Sequence, residues 1–120
     1  MASRLTIEEW DAGDVTILAL AGQIVVDDGD LALRKQIHDL VDRGRLKIIL
    51  DLARVTFIDS SGVGMIASKL KTLRERGGDM KLLRLNTRSQ RLFGMMKLLI
   101  AFETFDDTET AVRSFAFKVR

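Results

Sequence analysis

A chain of 120 residues, 47% hydrophobic and 30% charged, has apolar material for one buried core, no room for a second domain, and none of the polar bias of a disordered chain. With no cysteine and only His38 among histidines, disulfides and thiolate chemistry are excluded, and little remains for a histidine-based metal site or triad. The net charge of +2 hides a polarised chain: residues 1–30 carry one basic and seven acidic side chains, residues 69–97 nine basic and two acidic.

In chain order, Leu5 and Ile7 alternate with Thr6 and Glu8, and Val15, Ile17, Leu18 and Leu20 follow Gly13-Asp14, which predicts a β-hairpin. Gly22-Gln23-Ile24-Val25-Val26 reads as a further short strand. Asp27-Asp28-Gly29-Asp30 then offers turn and N-cap chemistry to a helix with Leu33, Ile37, Leu40 and Val41 on one face, ended by Gly44. The near-continuous apolar run Lys47-Ile48-Ile49-Leu50-Asp51-Leu52 predicts a central strand covered on both faces.

Val55-Thr56-Phe57-Ile58 leads into Asp59-Ser60-Ser61-Gly62, after which Val63, Ile66, Ala67, Leu70 and Leu73 form one helical stripe that stops at Gly77-Gly78. Residues 80–85 read as a strand. Thr87-Arg88-Ser89-Gln90 has capping-box spacing before a helix through Leu92, Phe93 and Met96. A strand is expected around Ala101-Phe102-Glu103-Thr104, then a last helix capped by Asp106-Asp107 with Ala111, Val112, Phe115 and Val119 inward. Strands alternating with helices after a hairpin imply an α/β fold, a mixed sheet with about four helices on it, and one domain over 1–120.

Met1-Ala2-Ser3-Arg4 opens no signal core, and no apolar run approaches the roughly 18–20 residues of a membrane span, so a cytoplasmic protein without membrane insertion is expected. The basic stretch is read as a solvated helix face. Trp10 and the phenylalanines are not interleaved with it as stacking platforms, which argues against direct nucleic-acid binding.

Asp59-Ser60-Ser61-Gly62 places a carboxylate and two hydroxyls where a strand gives way to a helix. Capping accounts for one of them, since Ser and Asp oxygens accept the free N–H groups of a first turn. The wider pattern is more specific. Lys47-Ile48-Ile49-Leu50-Asp51-Leu52, then Val55 through Gly64, then Gly77-Gly78 and Arg91-Leu92-Phe93, in that order and spacing over about residues 5–115, resemble the STAS domain of anti-sigma-factor antagonists.

The resemblance implies a STAS-like fold and a protein switch. In that family the serine after the aspartate, Ser60 by position with Ser61 as the alternative, is phosphorylated by an anti-sigma factor carrying a histidine-kinase-like ATPase domain, and a PP2C-type phosphatase reverses it. The unphosphorylated antagonist binds the anti-sigma factor and frees the sigma factor. The partner-binding residues expected are Asp59, Ser60, Ser61 and Val63 at the motif, Gly62 and Gly64, which permit close approach of neighbours or a partner to the helix start, and Met65 and Met95, an adaptable methionine surface beside it, in a monomer or weak dimer. Asp59 is expected to orient the acceptor hydroxyl or to act as a cap. Phe93 and Met96 contribute either to the contact surface or to the core.

Two positions depart from the family pattern: Val25 stands where an acidic residue is usual, with Asp27 and Asp28 following, and Lys97 stands where glycine is common. Enzyme chemistry is not expected. A nucleophile elbow needs glycine two residues before the serine, where Ile58 and Asp59 stand, and no phosphate-binding Gly-rich loop ends in Lys-Ser/Thr. No cofactor is expected. The rival reading is a STAS scaffold or accessory subunit of a stress-signalling complex or transporter.

Overall fold

A computed structural model describes residues 4–116. Its strands are β1 (Leu5–Ala12), β2 (Val15–Ile24), β3 (Lys47–Ile58), β4 (Asp79–Leu83) and β5 (Thr104–Phe105). Its helices are α1 (Gly29–Asp42), α2 (Ser60–Glu75), α3 (Thr87–Met95) and α4 (Thr108–Ser114), with a 3-10 turn at Leu99–Ala101. The strands lie side by side in chain order. β1 and β2 form the antiparallel hairpin, with Ala12 opposite Val15 across the Gly13-Asp14 turn, and the remaining pairs are parallel. Parallel neighbours require a crossover, which α1, α2 and α3 supply in turn.

Helices α1, α2 and α3 share one face of the sheet. Leu33, Ile37 and Leu40 of α1, Val63, Ile66, Leu70 and Leu73 of α2 and Phe93 of α3 pack on Leu18, Leu20, Ile48, Leu50, Met80 and Leu82. The other face is smaller: Ala111 and Phe115 cover Val15, Ile17, Ile49 and Leu83. Ile48, Ile49 and Leu50 are therefore all fully buried, as the continuous apolar run predicts. Each buried aliphatic side chain contributes about 1.5–3 kcal/mol, so the larger cluster carries most of the hydrophobic stabilisation.

Strand alternation directs Lys81 of β4 to the smaller face, where it is buried. Its ammonium lies 4.1 Å from the Phe115 ring centre, donates to Ser114 Oγ at 2.7 Å and pairs with Glu103 at 3.1 Å. A charge so enclosed is tolerable only with such partners, and they fasten the end of α4 to the sheet.

The structure differs from the sequence-based expectation in four places. Residues 22–24 are the end of β2, not a separate strand: the register shifts around Gly22, whose φ of +111° and contact with the Arg4 carbonyl admit no side chain. Val25 and Val26 lie beyond the strand. Asn86, not Thr87, caps α3, accepting from the Ser89 N–H at 2.8 Å. The strand expected over 101–104 is the 3-10 turn followed by two paired residues, Thr104 and Phe105. Asp28 holds the N-cap position of α1 without capping it; its carboxylate accepts the Arg4 N–H instead. Asp107 caps α4 as expected, Ala111 and Phe115 turn inward, and Val112 is half-buried. Val119 lies outside the described residues.

Candidate functional site

β2 and β3 end side by side, Ile24 opposite Ile58, and α2 begins two residues after β3. The N-termini of α1 and α2 therefore meet at the carboxyl ends of the parallel strands, where open α/β sheets place their crevices. Asp59 organises the junction. Its Oδ1 accepts from the Gly62 N–H at 2.8 Å, its Oδ2 from the Val26 N–H at 3.0 Å, and its own N–H donates to the Ile24 carbonyl at 3.2 Å. With both carboxylate oxygens on backbone donors, Asp59 acts as a cap and a loop tether. It makes no hydrogen bond to Ser60.

The two serines differ. Ser61 Oγ donates to Asp30 Oδ2 at 3.1 Å, and Asp30, in the first turn of α1, is only 3% exposed, with Oδ1 lacking a partner among the described residues. Both serines are exposed, but Ser60 makes no hydrogen bond through its hydroxyl among the described residues. Its N–H and that of Ser61 lie in the first turn, for which a helix has no carbonyls of its own.

Ser60 opens into a cleft of about 460 Å³ lined by Phe57, Ile58 and Asp59 on one side and by Arg88, Arg91, Leu92 and Met95 of α3 on the other. Positions 88, 91, 92 and 95 form an i, i+3, i+4, i+7 stripe, so one face of α3 lines the cleft while Ser89 and Phe93 turn into the protein. Met95 is 75% exposed and Phe57 is exposed beside it. The residue set expected at the site thus divides. Asp59, Ser60 and Met95 line the cleft, and Ser61 adjoins it. Val63 and Met65, also expected at the partner surface, are buried in the larger core cluster, Met65 at 4% exposure, so in this structure neither presents its side chain at the surface.

Gly62 is buried because a side chain there would stand 2.6 Å from the Ile24 carbonyl oxygen, whereas one at Gly64 would meet nothing within 4 Å. Phe93 packs edge-on to Phe102, with ring centres 5.6 Å apart, and Met96 packs half-buried against the core. Arg88, Arg91 and Phe57 were not singled out as site residues from the sequence. The α3 stripe was the available signal, masked because its two arginines fell inside a basic stretch read as solvated.

At Val25, where an acidic residue was expected, the backbone carbonyl accepts from the N–H groups of Asp28 and Asp30, and the carboxylate nearest in sequence, Asp27, is exposed on a residue with φ of +60°. His38 lies on α1 against Lys69 Nζ of α2; burial and the nearby Arg34 charge lower the Lys69 pKa. Among the described residues no cluster of three His, Asp or Glu is placed to hold a metal ion, and no helix is long and apolar enough to cross a membrane.

The molecule is thus an α/β domain with a mixed sheet, whose open end presents an exposed serine at a capped helix start beside an open cleft. The chain belongs to the STAS domain family, which residues 11–111 match. It is 29% identical to the anti-sigma F factor antagonist of Paenibacillus polymyxa over 109 residues, 90% of this chain and 92% of that one. Its fold is that of the anti-sigma factor antagonist SpoIIAA in its unphosphorylated form, with TM-score 0.81, 20% identity, and 96% of this chain and all of that chain covered. The phosphorylated form of the Bacillus cell fate determinant SpoIIAA superposes with TM-score 0.72 and 21% identity over 93% of this chain and all of that one.

Proposed function

We propose that this protein is an anti-sigma factor antagonist switched by phosphorylation of Ser60. Its partner is an anti-sigma factor with a histidine-kinase-like ATPase domain, which binds the unphosphorylated form, yields its sigma factor, and transfers a phosphoryl group to Ser60; a PP2C-type phosphatase removes it. The protein acts in the cytoplasm as a monomer or weak dimer and is a substrate rather than an enzyme. The observation that carries this reading is the contrast in bonding between two exposed serines: the Ser60 hydroxyl has no partner among the described residues, whereas the Ser61 hydroxyl is engaged by buried Asp30.

The physics supports a local switch. A phosphate adds about −1.5 to −2 charge at neutral pH, and at a helix start the dipole and free N–H groups favour it, so the fold survives. A partner seated over the cleft meets the new bulk and charge, and each ~1.4 kcal/mol of lost contact weakens binding tenfold. The test is affinity capture from source lysate with wild type, Ser60→Ala and Ser60→Asp as baits, with phosphosite mapping of the wild type. Recovery of a histidine-kinase-like ATPase by the first two and not by Ser60→Asp is expected. Recovery of one assembly by all three, with Ser60 unmodified, overturns the reading in favour of a scaffold.

A further inference from the structure

We propose that Arg88 and Arg91 of α3 are the receptor for the phosphate on Ser60, so that modification bridges α2 to α3 across the cleft. The inference rests on the proposed phosphorylation of Ser60 and assigns the phosphate its protein ligands. Both arginines line the same cleft as the Ser60 side chain. They stand three residues apart on a helix, a spacing that puts them on one face.

Neither makes an ion pair or side-chain hydrogen bond among the described residues. Arg43, Arg45, Arg74, Arg84 and Arg113 each hold a carboxylate; Arg34, Arg54 and Arg76 are also without a side-chain partner among the described residues but do not line this cleft. The one carboxylate lining the cleft, Asp59, already accepts from two backbone N–H groups. The guanidiniums are therefore free, and the unmodified serine offers them no anion.

A phosphate monoester has the complementary chemistry. It presents three acceptor oxygens and close to two negative charges, and the planar guanidinium fork binds such groups through paired charge-assisted hydrogen bonds. Drawn toward α3, the phosphate lies over the apolar lining from Phe57, Leu92 and Met95. The unmodified cleft is open to a partner and the modified one is filled from within, so release needs no change in the fold. A solvent-facing phosphate acting by repulsion alone would leave the arginines unengaged.

The test uses the full chain with phosphoserine incorporated at position 60 during translation, titrated by 31P NMR. The second phosphate pKa, ordinarily about 6, is expected to fall by about one unit in the folded chain relative to the same chain in urea. The double variant Arg88→Gln/Arg91→Gln is expected to remove at least half of that fall, the remainder belonging to the helix start. Arg91→Lys, which keeps charge and loses the fork, is expected to lie between. Arg76→Gln, at the far end of α2, is the control and is expected to titrate as wild type. A double variant whose titration matches wild type, with both folded by circular dichroism, overturns the proposal. Because translation installs the phosphate, failure to find modified Ser60 in cells would sink the phosphorylation switch and leave this result standing.

Discussion

The Ser61 hydroxyl donates to Asp30 Oδ2 at 3.1 Å, joining the first turns of α2 and α1 through a carboxylate that is almost fully buried. Removing the only side-chain donor that this buried acceptor has among the described residues costs its desolvation, about 1–3 kcal/mol. Ser61→Ala should lose stability of that order in urea melts. Ser60→Ala, at an exposed hydroxyl without a partner, should stay within about 0.5 kcal/mol of wild type. The same asymmetry extends to charge: Ser60→Asp should keep the wild-type melting temperature, whereas Ser61→Asp sets a second carboxylate against Asp30 and should lower it. Equal melting temperatures for the two aspartate variants would contradict the geometry.

Gly62 and Gly64 share a helix start but have different surroundings. A methyl at 62 meets the Ile24 carbonyl oxygen at 2.6 Å and side-chain atoms of Ile24 and Ile58 at 3.0 Å, while one at 64 enters open space. Gly62→Ala should therefore cost about 1–3 kcal/mol through overpacking. Gly64→Ala should gain about 0.5–1 kcal/mol from helix propensity. Loss of partner affinity by a stabilised Gly64→Ala, read by titration calorimetry, would locate the docking surface on that side of α2.

Lys97 follows α3 with φ of +59°, the left-handed conformation in which glycine is favoured at helix ends. The strain for a side chain there, about 1–2 kcal/mol, exceeds the entropy that glycine adds to the unfolded chain, about 0.4–1 kcal/mol. Lys97→Gly should raise stability by about 0.5–1 kcal/mol, visible as a higher urea midpoint at unchanged slope.

Two carboxyls are held below the ordinary range: Asp107 by hydrogen bonds from the Thr110 side chain and backbone N–H, and Asp14 by its hydrogen bond from Lys47. A folded-state pKa below the unfolded value means that the stabilisation is complete above about pH 4 and is lost as pH falls through the lower folded value. Because Asp107 caps α4, the amide protection factors of α4, corrected for the slower intrinsic exchange at lower pH, should fall on acidification below that point, before those of β3. Asp107→Asn, which can still cap, should flatten the pH response of α4; an unchanged acid profile would assign the effect elsewhere.

Legibility in the sequence followed the strength of the physical signal. The stripes of α1 and α2 and the apolar run at 47–52 were readable because burial alone sets their periodicity, and Leu33, Ile37, Ile66, Leu70 and Leu73 are all in the core. Boundaries set by tertiary contacts were not. Gly22 looks like punctuation and is a bulge inside a continuous strand, because the approach of the Arg4 carbonyl has no local trace. β5 is held by only two residues paired to Leu82 and Leu83, too short for alternation to register. At the site, Asp59-Ser60-Ser61-Gly62 was visible as a motif, but the division between the serines depends on Asp30, 31 residues upstream of Ser61.

The sheet ends differently at its two margins, and neither invites another strand. β1 shows Thr6, Glu8, Glu9 and Asp11 to solvent, and β5 is only two residues long. Acidic side chains and short length both discourage pairing with a neighbouring backbone. A partner that added a strand would bind through main-chain hydrogen bonds, which a change at one hydroxyl would barely alter. With margins unattractive to an added strand, the proposed switch falls to side-chain chemistry around the helix ends, where adding or removing a single group changes the surface most.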